Sequence, residues 1–212
     1  MSHPRPYEIP NTVLDERSAP NNPLRLFDQW YQEAVNSGLF TNPGAMTLCT
    51  ATKEGVPSAR MVLLKQFDQT GLRFFTNTGS PKAQELNSNP VAALVFYWQQ
   101  FERQIRITGR VQKLTKLQAI DYFLTRPIKS QISAWASPQS QPVKSRETLE
   151  GLYQHWMNKL SAVNVIPKPT QWGGFVVIPE QIEFWQGRDH RLHDRILYTK
   201  QLTGWQKERL AP

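Results

Sequence analysis

The stretch WQGRDHRLHDR, residues 185–195, holds three arginines, two histidines and two aspartates in eleven positions. Such a group can grip an anion and steer a proton, and it can equally line a solvated edge. Read as extended chain, Arg191, His193 and Arg195 share one face, while Leu192 and Asp194 point the other way. Two guanidiniums beside an imidazole then make an electropositive edge. Zinc at His190 and His193 lacks an evident third ligand, and the neighbouring arginines oppose a cation.

Three further clusters carry anion-binding chemistry, each with a plain alternative. In ARMVLLK, residues 59–65, alternation sends Arg60 and Lys65 to opposite faces, so one strand could touch two separate anions. Charged residues fraying the ends of a core strand explain the same pattern. In TNTGSPKAQEL, residues 76–86, Ser80 suits a helix cap, Pro81 the first helical position and Lys82 the first turn. A helix start with a lysine makes a phosphate seat, although many surface helices begin this way for stability alone. In DYFLTRPIKSQISAWASPQSQ, residues 121–141, Tyr122, Arg126 and Ser130 fall at four-residue steps that align them on a helix face. Pro127 breaks that helix, so the alignment is approximate.

The elements that must position these clusters read mainly as strands. Residues 1–22 hold four prolines and no apolar period, and read as an extended arm before a single domain over 23–212. Asn22, Pro23 and Gly38 bracket a first helix. Strand patterns follow in AMTLCTAT, SARMVLLK, GLRFFTN, VAALVFYW and RQIRITGRVQKL, the last with a kink at Gly109. Cys49, the one cysteine, reads as a small core residue of the first of these. Two helical stretches come next, the first opened by capping-box spacing from Thr115 to Gln118. WGGFVVIP, QIEFWQ, RILYTK and WQKERLAP read as closing strands. With no strand–helix alternation and no GxGxxG, a doubly wound nucleotide fold is disfavoured, and a small, mostly antiparallel barrel with peripheral helices is expected. Trp98, Trp135, Trp156 and Trp172 read as core or interface packing.

The 212 residues suffice for a real core, and the formal net charge of +8 suits phosphate-bearing partners without choosing among them. The N-terminus lacks the layout of a secretion signal and no apolar run is long enough to cross a bilayer, so the expectation is a cytoplasmic protein with no membrane contact. A nucleic-acid-binding barrel would use the same charge, but it needs a basic groove interleaved with exposed aromatics, whereas these basic residues fall into compact clusters.

Taken in order, RMVLLK, FFTN, SPKA, RQIRITG, YFLTRPIKSQISAWASPQS, WGGF, IEFWQG, RLHDR and ERLAP resemble the pyridoxamine 5′-phosphate oxidase family, over nearly the whole chain from about residue 24. The resemblance implies an FMN-binding split β-barrel working as a homodimer, with FMN at the subunit interface. It implies FMN contacts at Arg60, Met61, Val62, Leu63, Leu64, Lys65, Phe75, Thr76, Lys82, Gln104, Gln139, Ser140, Trp185 and Arg195. It places the substrate phosphate on Lys65, Tyr122, Arg126 and Ser130, and Arg191, Leu192 and His193 beside the substrate ring, with Arg191 and His193 as the catalytic pair. The implied reaction converts pyridoxine 5′-phosphate or pyridoxamine 5′-phosphate to pyridoxal 5′-phosphate. A hydride passes from C4′ to flavin N5, O2 is reduced to hydrogen peroxide, and with the amine substrate water hydrolyses the resulting imine and releases ammonia. A split-barrel flavin protein with another reductase activity and a non-catalytic pyridoxal phosphate binder are the alternatives. Two departures stand out: the family usually has an arginine where this chain has Pro81, and the spacing of Arg5 and Tyr7 differs from that of the arginine and tyrosine on the family's arm.

Overall fold

The computed structural model describes residues 13–212. Helix α1 spans Pro23–Asn36, with the Asn22 side chain accepting from the Leu24 N–H and Pro23 in the first turn. Strands β1 (Ala45–Ala51) and β2 (Pro57–Leu63) form a hairpin. β3 (Gln66–Asp68) and β4 (Gly71–Asn77) form a second. A short helix, α2 (Pro81–Ser88), leads to β5 (Val91–Trp98), which pairs with β6 (Arg103–Lys113). Three helices follow, α3 (Lys116–Thr125), α4 (Ile128–Ala136) and α5 (Arg146–Leu160), one more than the two stretches read from sequence. The chain closes with β7 (Trp172–Gln186), β8 (Asp194–Lys200) and β9 (Trp205–Arg209).

Every strand pairing is antiparallel, in the order β2-β1-β5-β6-β7-β4-β3 with β8 and β9 added beside β7. This is the mainly β split barrel with peripheral helices that the strand pattern implies. Its spine is β7. One edge of β7 pairs with β6 over most of its length, while the other pairs with β4 from Trp172 to Val177 and with β8 from Gln181 to Gln186. WGGFVVIP and QIEFWQ are therefore one strand rather than two. Pro179, which has no N–H to donate, sits where the second partner changes and where β6 shifts register between Thr108 and Gly109. Gly109 permits the close approach: a Cβ there would lie 2.0 Å from the Ile178 carbonyl oxygen.

The main core packs α1 against the sheet through Phe27, Trp30, Phe74, Phe96 and Phe184, with ring pairs such as Trp30–Phe184 meeting edge to face. A second, smaller core joins α3, α4 and α5 to the start of β7 through Phe123, Ile132, Leu160 and Trp172. Cys49 is half-buried rather than a core residue, because Met46 and Leu48 take the inner face of β1 and Cys49 falls on the other.

Residues 13–20 are tied to the last hairpin. The Tyr198 hydroxyl donates to the Pro20 carbonyl at 2.8 Å, Lys207 donates to Ala19 O at 2.6 Å, and Arg209 donates to Leu14 O at 3.0 Å. Arg5 and Tyr7 lie outside the described residues. Among the described residues, no helix is long and apolar enough to cross a membrane.

Candidate functional site

The first group of site residues gathers at the β4–α2 corner. Asn77–Ser80 turns the chain from β4 into α2, with Ser80 Oγ donating to Asn77 O at 2.7 Å. Ser80 therefore precedes the helix without capping it through its side chain. Lys82, in the first turn, is buried, and its Nζ donates to Thr76 Oγ1 (3.2 Å), Ser80 Oγ (3.2 Å) and Gln139 Oε1 (3.0 Å). All three partners are neutral. Burial, and then the nearby Arg60 charge, lower the Lys82 ammonium from its ordinary value, against a smaller raising effect of Glu85. An ammonium, a hydroxyl and an amide at the start of a helix are the donor set of a phosphate monoester site.

Arg60, on β2, does not point freely into that corner. Its guanidinium donates to Leu48 O at 3.2 Å, to Thr50 and to Ser58, and lies 3.3 Å from Glu85 of α2. The residues after it divide. Met61 and Leu63 are exposed, Val62 packs partly into the core, and Leu64 is a core side chain with its N–H on Gly44 O. β2 ends at Leu63, so Lys65 lies beyond the strand, with its N–H on Arg73 O.

The second group surrounds Arg126. Phe75 and Tyr122 stack at 4.0 Å between ring centroids, and both lie nearly parallel to Trp172. The Arg126 guanidinium stands over Trp172, 5.1 Å from its centroid. Pro127 forces Arg126 out of the helix to ψ 148°, so α3 ends at Thr125 and α4 begins at Ile128. Tyr122, Arg126 and Ser130 thus come from a helix, a corner and a second helix, not from one helix face. Arg126 Nη1 is buried and has no hydrogen-bond partner among the described residues. Partial burial, and then the charge of Arg126, lower the Lys65 ammonium, which puts the two cations in one electrostatic neighbourhood.

The third group lies at the other end of β7. Gln104, Trp185 and Arg195 are consecutive partners across β6, β7 and β8. The Trp185 and His193 rings are 4.6 Å apart. His193 Nδ1 accepts the Arg188 N–H at 3.1 Å, which leaves the neutral imidazole's proton on Nε2. The extended reading of 191–193 is overturned: Asp189–Leu192 form a tight turn, closed by the Leu192 N–H on Asp189 O at 3.2 Å, and β8 starts at Asp194. His190 and Arg191 both have left-handed φ, 55° and 62°, and nothing in their side-chain types announces that. Arg191 and Leu192 are exposed. Arg195 donates to Glu183 at 2.9 Å and to Ala211 O at 2.8 Å, and Glu183 is shared with Arg106 at 3.1 Å. Asp194 takes Arg188 at 2.7 Å and Arg209 at 2.8 Å. Burial alone would raise its carboxyl, and these hydrogen bonds outweigh that and hold it below the usual range.

Gln139 thus joins Lys82 and Thr76, whereas Ser140, exposed and with φ 66°, joins neither group by a hydrogen bond among the described residues. Sequence reasoning read Trp172 as packing, which its place in the second core bears out, but gave it no role at Arg126, and it passed over Glu183 and Glu85, which hold predicted arginines. A signal for Trp172 was present in the two glycines after it. Gly174 pairs with Phe75, and a Cβ there would lie 2.6 Å from Phe75 Cδ1, so the sequence keeps room for a ring. The carboxylates carried no comparable signal, since their partners are distant in sequence.

Known proteins resemble this chain over almost its whole length. Residues 32–158 match the family described as pyridoxamine 5′-phosphate oxidase, and residues 172–212 match the pyridoxine 5′-phosphate oxidase C-terminal dimerisation region. A pyridoxine/pyridoxamine 5′-phosphate oxidase of Trichormus variabilis is 50% identical over 94% of this chain and 93% of its own length. One from Rubrobacter xylanophilus is 47% identical over 97% and 94%. Among solved structures, PhzG from Burkholderia lata, in complex with tetrahydrophenazine-1-carboxylic acid, superposes with a TM-score of 0.88 at 27% identity, covering 95% of this chain and 98% of its own. An FMN-binding protein of Nostoc punctiforme, related to pyridoxamine 5′-phosphate oxidase, has the same fold, with a TM-score of 0.70 at 18% identity and 90% and 98% coverage. With family matches over both parts of the chain and relatives about half identical across nearly all of it, this protein belongs to the pyridoxamine 5′-phosphate oxidase family.

Proposed function

We propose that this chain oxidises pyridoxine 5′-phosphate and pyridoxamine 5′-phosphate to pyridoxal 5′-phosphate, with FMN held at the interface of a homodimer. The observation that carries the reading is Arg126 Nη1, a buried donor with no partner among the described residues, beside Lys65 and Tyr122. A buried charge without a counter-ion is costly, and a substrate phosphate is the anion this corner suits. Ser130, one turn into α4, would add a hydroxyl.

FMN fits the neighbouring corner by donor chemistry. Lys82, Thr76 and Gln139 would take its phosphate, and the exposed edge of β2 at Met61 and Leu63 would supply apolar and backbone contact. When bound, FMN supplies two-electron redox chemistry, accepting a hydride from the substrate C4′ and passing the electrons to O2 as hydrogen peroxide. The protein supplies position and field. Arg191 and Leu192 would flank the substrate ring, and His193 would present Nε2–H to it while the Arg188 N–H holds Nδ1. Anchoring the phosphate on Lys65, Tyr122, Arg126 and Ser130 restrains the substrate far from the reacting carbon, and that binding energy serves orientation.

The dimer follows from one length. Trp172 beside Arg126 and Trp185 beside His193 are thirteen residues apart on β7, roughly 40 Å of strand. One small substrate cannot touch both ends, so on this reading the His193 end of one copy would meet the Arg126 end of another. The test is the visible spectrum of purified protein followed by an aerobic assay. Flavin absorbance, with pyridoxal 5′-phosphate and hydrogen peroxide formed together, is expected. A protein that takes up no added FMN, or a loaded one that forms no aldehyde, would overturn the reading.

A further inference from the structure

The half-buried Arg126 guanidinium, with Nη1 fully enclosed, raises a physical question: what holds it in place? Arg126 makes no ion pair with a carboxylate among the described residues, and its Nη1 has no partner. The backbone fixes only the root of the side chain, through Pro127 and a bond from Gln131 Nε2 to Arg126 O at 2.8 Å. The groups nearest the guanidinium are rings: its central carbon lies 5.1 Å from the Trp172 centroid and 5.7 Å from that of Phe123.

Trp172 is itself immobilised from several sides. Its carbonyl accepts from Lys168 Nζ at 2.6 Å, and its N–H donates to Pro169 O at 3.1 Å. Phe75 lies parallel to its ring at 5.1 Å, and Phe123 meets it edge-on at 5.1 Å. The ring is a rigid platform.

A carboxylate in the same place would hold the guanidinium more strongly, but it would occupy N–H donors and cancel the charge. An aromatic face attracts the flat side of the guanidinium, and the N–H donors lie in the guanidinium plane, free for another acceptor. We propose that Trp172 is a positioning residue for the substrate phosphate, a pedestal that orients Arg126 through its π face while leaving the guanidinium's charge and donors for the anion. The proposal rests on the reading of Arg126 as part of the phosphate seat.

The test uses the holoenzyme, with inorganic phosphate as probe, by calorimetric titration, and the KM for pyridoxine 5′-phosphate as a second readout. Trp172→Leu should weaken phosphate roughly three- to tenfold, with the loss falling on KM more than on kcat. Trp172→Phe, which keeps a ring face, should recover much of it. In an Arg126→Met background, Trp172→Leu should cost nothing further, because the interaction it removes is already gone. Equal losses in the two backgrounds, or an Arg126-dependent affinity that Trp172→Leu leaves unchanged, would overturn the pedestal alone. Phosphate affinity unchanged in Arg126→Met would overturn the seat and the pedestal with it. Should Trp172→Leu not accumulate as folded protein, Trp172→Phe carries the same cycle, with a two- to threefold effect expected and no effect in the Arg126→Met background.

Discussion

The two ends of β7 treat their cations in opposite ways. At the Trp172 end, Lys82 bonds only to neutral groups and Arg126 rests on a ring, so both keep their charge for a ligand. At the Trp185 end the arginines are largely paired within the protein. Arg195 and Arg106 share Glu183, Arg188 and Arg209 share Asp194, and Arg209 also meets Glu16. The first end, among the described residues, leaves Lys82 and Arg126 without a carboxylate hydrogen bond, as an anion seat requires. The second uses its ion pairs to shape a loop, and the loop presents His193 and Arg191. The lesson is that a cluster of arginines need not be an anion site. What distinguishes one is whether the guanidinium's partners are carboxylates or rings and neutral groups.

Breaking the loop's output should have the largest effect. Arg191→Met and His193→Asn should each lower kcat by about 10²-fold while flavin absorbance persists. Unchanged turnover in both would refute their placement beside the substrate. Lys82→Met, at the opposite end, should weaken FMN by about 10- to 100-fold, because it removes a charge-assisted contact, and flavin fluorescence on titration measures it. An FMN affinity equal to the parent's would remove Lys82 from the cofactor seat. Mixing these defects sharpens the comparison. At an FMN concentration that loads the parent but not Lys82→Met, Lys82→Met and His193→Asn subunits, each nearly inactive alone, should regain about a quarter of parental activity when dissociated and reassembled together in equal amounts, since half the dimers are mixed and each carries one intact site. No recovery would place both groups in the same subunit's site.

The smallest effect concerns how the far end is anchored. Burial pushes the Tyr198 hydroxyl up to about 12 while it donates to Pro20 O. A folded-state value above the unfolded one, near 10, means that its stabilisation is complete below pH 10 and is lost as pH rises toward 12. The thermal midpoint should fall over that window, and Tyr198→Phe should flatten the fall. A variant with the parent's full alkaline slope would show that another group is responsible.

Much of this was legible from the residues. The strand segments, the Pro23 helix start and the Thr115–Gln118 capping box appear where the pattern placed them, because each depends on near neighbours. The break at Pro127 was also legible, though not its result, an arginine turned onto a tryptophan forty-six positions later. What the sequence hid depends on distant partners. The continuity of β7 through Pro179 needs the register shift at Gly109, seventy residues earlier. The turn at Asp189–Arg191 needs left-handed backbone in residues that rarely adopt it, so alternation misassigned the faces of Arg191 and His193.

If the proposed sites are right, a single continuous strand carries equipment for both halves of the pocket, and a lone subunit would own two incomplete pockets. A two-fold pairing that sets the head of one β7 against the tail of its mate completes both at once. Specific activity should then collapse upon dilution past the dissociation point, not settle at a reduced plateau, and the enzyme's working range would be set by its own concentration.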